Sequence, residues 1–191
     1  NRVDAQIQLE VSNPDFAKHI NGRMFESFPT PWEGAGRWQD SMQRLLRTQS
    51  AVAQPDVFFI NGNTGDTGIV NYANMRYGLT SAMLGGAFFG YDRGEQSHAQ
   101  LWTFDEFETF LGRVVDVPKD ELNGKTSLAS AHIYPSVWSR EFQEGRVIVN
   151  ATDTAHTVAL NEDFEKINGM QDRAVNDGRI VDEVTLAPRD G

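Results

Sequence analysis

The 191-residue chain has no cysteine, which excludes disulfides and thiolate-held metals. It has only four histidines, His19, His98, His132 and His156, and their spacing fits no metal motif. No run approaches the roughly 20 apolar residues of a membrane-spanning helix, and no secretory leader opens the chain. Basic side chains are scarce: 17 Lys and Arg against 27 Asp and Glu give a formal charge of -10. A field of that sign repels phosphate backbones and anionic lipid, so nucleic acid is not an expected partner. There is no Gly-x-Gly-x-x-Gly after a strand, no phosphate loop and no Gly-x-Ser-x-Gly elbow. Neither a cofactor nor a metal is expected.

What is present is a globular composition, 39% apolar, with regular patterning. "AQIQLEV" (5–11) alternates apolar and polar residues as a half-buried strand does. Residues 22–28 read as a second short strand. Over 37–52, Trp38, Met42, Leu45 and Leu46 fall on one helical face, and Pro55 follows. "DVFFING" (56–62) is nearly all apolar, as strands of parallel sheets are. A second helix is predicted over 69–84, closed by Gly85-Gly86, and "AFFGYD" (87–92) is a further strand. Repetition of strand, loop and helix predicts an α/β fold with a parallel sheet over residues 1–112. Residues 113–136 read as an irregular linker. From 137 to 191, short alternating strands punctuated by Gly, Asn and Asp predict a small β-sandwich-like module.

In parallel α/β folds the functional side is the C-terminal end of the strands. Glu26 follows "RMF", Asn61 and Asn63 end "VFFINGN", and Asp92 ends "FFGYD". Beyond it lies "HAQLWTFDEF" with His98, Trp102, Asp105 and Glu106. Carboxylates can act as acid and base when their settings differ. Amides and carboxylates pair with hydroxyls, and aromatic faces pack on sugar rings. This inventory points to glycan chemistry, in which two carboxylates flank the bond being cut. Glu26 and Asp92 are the candidate catalytic pair. Asn61, Asn63, Tyr91, Trp102, Asp105 and Trp32 are candidate substrate-binding residues.

Each has a structural counter-reading. Glu26 could cap a turn or pair with Arg23, and Asp92 could pair with Arg76 or Arg93. The asparagines suit turns, Asp105 and Glu106 suit the start of a short helix, and the tryptophans suit core packing. Gln171–Gly178 offers three side-chain oxygens, but its spacing is that of a turn and not of a calcium loop.

Taken in order, "INGRMFESFP", "NMRYGLTSAMLGGAFFGYD", "LWTFDEF", "REFQEGRVIVNAT" and "APRDG" resemble the glycoside-hydrolase-like barrel proteins of bacteria. The resemblance covers most of residues 13–191. It implies the C-terminal part of a TIM-type (β/α)8 barrel followed by a small β-sandwich, with residues 5–11, 22–28, 56–62 and 87–92 as the fifth to eighth barrel strands. It further implies carbohydrate as the ligand and an extracellular or cell-surface location. A complete barrel takes about 250 residues, so the remaining strands would come from upstream sequence, from another chain, or from nowhere, which would leave an open sheet edge to be covered. The alternative is a non-catalytic glycan-binding or scaffold protein built on the same fold. A pure interaction module would instead use the open sheet edge to pair with another chain.

Overall fold

The computed structural model describes residues 14–28, 37–126 and 133–191. The predicted strand over 5–11, Trp32 and the two prolines beside it lie outside these residues. A one-turn helix α1 (Pro14–Ala17) precedes strand β1 (Gly22–Phe25). Helix α2 (Trp38–Ala51), strand β2 (Val57–Asn63), helix α3 (Tyr72–Gly85) and strand β3 (Phe88–Asp92) follow. A short 3-10 turn (Asp105–Glu108) leads to β4 (Lys119–Asp120), β5 (Val137–Phe142), β6 (Gly145–Asn150), β7 (His156–Glu165) and β8 (Ile180–Leu186).

Strands β1, β2 and β3 form a parallel sheet in that order. The described residues form no closed barrel; the sheet is open. Its register places Met24 beside Phe59 and Phe59 beside Phe88. Because side chains alternate along a strand, one face carries Phe25, Phe58, Ile60 and Tyr91, all buried. The opposite face carries Met24, Val57, Phe59 and Phe88, which are 48%, 57%, 39% and 64% exposed. An apolar row thus crosses the sheet uncovered, although parallel sheets are normally covered on both faces.

Both helices pack on the covered face. The predicted stripe of α2 is realised by Trp38, Met42 and Leu45, all buried, while Leu46 is half-buried. Asn71 starts α3 by accepting the Asn74 N–H at 3.0 Å, two residues inside the predicted start. Gly86, at φ 71°, closes it in the left-handed conformation that glycine adopts most readily. Helix α3 is buried on two sides because β2 and β3 pack on one and β5 and β6 on the other. Gly78 permits this approach: a Cβ there would lie 2.6 Å from Phe89 Cε2 and 2.9 Å from Cζ. Gly78→Ala is therefore expected to destabilise the fold. Overpacking costs about 1–3 kcal/mol, more than the roughly 1 kcal/mol that alanine returns in helix propensity. Thermal unfolding measures the balance, and an equal or higher Tm would mean that Phe89 moves aside freely.

The antiparallel part consists of the sheet β4-β5-β6 and the ribbon β7-β8. They pack through Val137, Val158 and Leu186 with Ile148 and Val184, as a small sandwich would. Two differences from the sequence reading emerge. The supposed linker contains β4, and Val115 N–H reaches Glu141 O at 3.0 Å, so the antiparallel module begins before residue 137. Trp138, Val149 and Ala151 also share one hydrophobic cluster with Phe25, Met42 and Ile60, so the two parts have a common core.

Asp120 pins the segment between β4 and β5. Its fully buried carboxylate accepts hydrogen bonds from Ser136 Oγ (2.5 Å), the N–H groups of Leu122 (3.0 Å) and Asn123 (3.2 Å), Asn123 Nδ2 (3.0 Å), and the Tyr134 hydroxyl. Burial opposes its charge, but the donors led by Ser136 and Tyr134 outweigh it and hold the pKa below the ordinary carboxylate value. The stability gained is therefore present above the unfolded-state pKa of about 3.9. It is lost as pH falls through the lower folded-state value. Asp120→Asn is expected to be less stable at pH 7 by about 1–3 kcal/mol, and its urea midpoint should fall less steeply with acid. Parallel pH dependences in variant and wild type would refute this role.

Candidate functional site at the sheet edge

The C-terminal ends of β1, β2 and β3 lie side by side, and the register sets Asn63 beside Asp92. By alternation Asn61, Asn63 and Asp92 belong to the same face as the bare apolar row. Glu26, the first residue past β1, is exposed. After it the chain bends: Ser27 sits at φ 54°, uncommon for a residue with a side chain. Ser27 Oγ accepts from Asn63 Nδ2 at 2.7 Å, and Phe28 N–H donates to Asn61 O at 3.0 Å. The two asparagines thus act as structural ties that set where Glu26 leaves the sheet.

Asp92 is buried and doubly held. Asn61 Nδ2 donates to its Oδ2 at 3.1 Å, and His98 Nδ1 meets the same oxygen at 2.6 Å. Its backbone O accepts from Thr64 N–H at 3.1 Å. The loop after β3 is fastened to the loop after β2: Gln96 N–H donates to Asp66 Oδ1 at 2.9 Å, and Asp66 N–H to Arg93 O at 2.9 Å. The hydrogen bond that His98 donates to Asp92 raises the His98 pKa above its ordinary value, helped by the charge of Asp92 and less by those of Glu26 and Glu95, against the opposing effect of burial.

The structure brings Glu26, Asn61, Asn63 and Asp92 to one edge and leaves the other expected residues elsewhere. Tyr91 is 5% exposed, on the helix-covered face, where it packs with Met75 and Phe104. Trp102 lies against Tyr91, ring centroids 6.1 Å apart, and belongs to that packing. Asp105 Oδ2 accepts the N–H groups of Met170 and Gln171, each at 2.8 Å, so it holds a loop of the β-module. Trp32 lies outside the described residues. His98 is the residue that sequence reasoning passed over as a site residue; no spacing rule links it to Asp92 across the turn between them.

No three His, Asp or Glu side chains among the described residues are placed to hold a metal ion. In Gln171–Gly178 the acids are engaged by cations: Asp172 with Arg76 at 2.7 Å, Asp177 with Arg179 at 2.6 Å and Lys166 at 3.1 Å. A second polar centre lies under the β-module. Arg76 Nε and Nη2 donate to the two oxygens of Asp190 at 2.8 and 2.9 Å, and Nη1 donates to Asp172 at 2.7 Å. Burial disfavours the guanidinium charge, but these carboxylates outweigh it and raise the pKa. Arg76 is thereby committed to the β-module, so it is not a partner of Asp92.

Comparison with protein families, curated proteins and solved structures finds no match to this chain. No helix among the described residues is long and apolar enough to cross a membrane. Two clefts, of about 980 Å³ and about 680 Å³, lie beside Arg76; neither is lined by Glu26 or Asp92.

Proposed function

We propose that the chain carries part of a glycosidase-type site on the later strands of a (β/α)8-type barrel. The observation that carries this reading is the gathering of Glu26, Asn61, Asn63 and Asp92 at the C-terminal edge of three parallel strands, the last three on the face the helices leave bare. The inward face of a barrel sheet is the one that carries substrate-facing groups at this edge. The uncovered row Met24, Phe59 and Phe88 supports the same reading, since further barrel strands, upstream or on another chain, would cover it. Glu26 is the catalytic carboxylate, and the amides of Asn61 and Asn63 hold the edge around it. The substrate is a polysaccharide or oligosaccharide, which places the protein outside the cell or at its surface. The test is hydrolysis of a panel of 4-nitrophenyl glycosides and soluble polysaccharides, with Glu26→Gln as the control. Turnover lowered by orders of magnitude in the variant is the expected result; a folded wild type without turnover on any member overturns the reading.

The engagement of Asp92 by Asn61 and His98 favours one other reading. In it the edge binds glycan hydroxyls without cutting. Saturable binding with no turnover, equal in wild type and Glu26→Gln, would establish that alternative.

A further inference from the structure

Asp92 and His98 differ sharply in access. The Asp92 side chain is 12% exposed and the His98 side chain 59%. Asp92 is thus poorly placed to meet a substrate, whereas the imidazole it holds stands in solvent at the same edge. One oxygen of Asp92 receives both Asn61 Nδ2 and His98 Nδ1, which fixes the carboxylate and through it the ring. Among the described residues Nε2 of His98 makes no hydrogen bond. The loop that carries the ring is anchored at Asp66 and, through Arg93 N–H to Gln100 Oε1 at 3.2 Å, to its own far side.

We propose that His98 is the proton-carrying group of this edge, and that Asp92 is its positioning residue and not the second catalytic carboxylate. This rests on the glycosidase reading above and replaces the pair Glu26 and Asp92 by the pair Glu26 and His98. An aspartate on Nδ1 selects the neutral tautomer that keeps its proton there, leaving Nε2 to gain and lose the working proton. The hydrogen bond to Asp92 and the charges of Asp92, Glu26 and Glu95 favour the imidazolium, and burial opposes it. In hydrolysis the imidazolium gives its Nε2 proton to the leaving-group oxygen as the glycosidic C–O bond breaks. The water oxygen bonds to the anomeric carbon, and Glu26 takes the water proton. That proton returns to His98 through solvent, and both groups are restored.

The experiment joins nitrogen-15 NMR of the histidine rings to pH–rate profiles for wild type, His98→Gln, Asp92→Asn and Glu26→Gln. The resonance absent in His98→Gln identifies the ring. The expected spectrum shows a neutral form protonated on Nδ1 and a titration midpoint that falls in both Asp92→Asn and Glu26→Gln. The alkaline limb of the rate profile should move down in Asp92→Asn, and turnover should drop about 10²-fold or more in His98→Gln. A ring protonated on Nε2, or one that titrates alike in all proteins, overturns the proposal, as does unchanged turnover in His98→Gln. If wild type cleaves no glycoside yet the spectrum is as expected, the glycosidase reading falls and the proton-carrying dyad stands.

Discussion

Asp190→Ala should lower folding stability by about 3–5 kcal/mol, the cost of stranding one member of a buried ion pair. The Arg76 and Asp190 side chains are 5% and 9% exposed, and two parallel N–H···O bonds join them. With Asp190 gone, only Asp172 and the more distant Glu106, at 3.9 Å, remain to balance a nearly buried guanidinium. The pair also joins α3 to the end of the β-module, because Asp190 O accepts the Asn150 N–H at 2.8 Å. Arg76→Met should be comparably harmful, since it strands Asp190. The double replacement Arg76→Met with Asp190→Leu should recover much of the loss, because an apolar pair needs no compensating charge. Urea unfolding of the four proteins measures the losses and the recovery. Single variants within about 1 kcal/mol of wild type would show that solvent reaches the clamp.

Glu26→Gln should leave the fold and glycan binding intact while lowering turnover by about 10²- to 10⁴-fold, the range removed with an acid or base group. The amide keeps the shape and the capacity to bond hydroxyls but can neither accept nor carry the proton. Stability should change little because Glu26 is exposed and lies just past the strand. Isothermal calorimetry with the glycan and initial rates on the same batch separate the two effects. Loss of binding and turnover together would assign Glu26 to uniform binding instead of chemistry.

Strands β1 to β3 and both long helices were legible because their signals are local. Trp38, Met42 and Leu45 share a helical face whatever they pack on, and "VFFI" is apolar on both faces in any buried strand. The neighbours Tyr91 and Asp92 were read as one site, although alternation sends adjacent strand residues to opposite faces. Register then decides which of them meets the edge. "RYGL" and "PRDG" stood out as motifs, but their meeting through Arg76 and Asp190, 114 residues apart, needs the folded chain. Their conspicuous residues serve packing, at Gly78, and a clamp, Arg76 with Asp190. The Asp92–His98 contact was hidden for a related reason: it depends on a loop folded back onto Asp66.

The bare row of Met24, Phe59 and Phe88 has a colloidal consequence. Such a face attracts its own kind, and what opposes that attraction is long-range repulsion from the charge of -10. That repulsion reaches about 10 Å in 0.1 M salt and about 3 Å in 1 M, and it vanishes near the isoelectric point of about 4.8. In dilute neutral buffer the acidic surface therefore acts as a dispersant for a sticky sheet, and salt or mild acid switches it off.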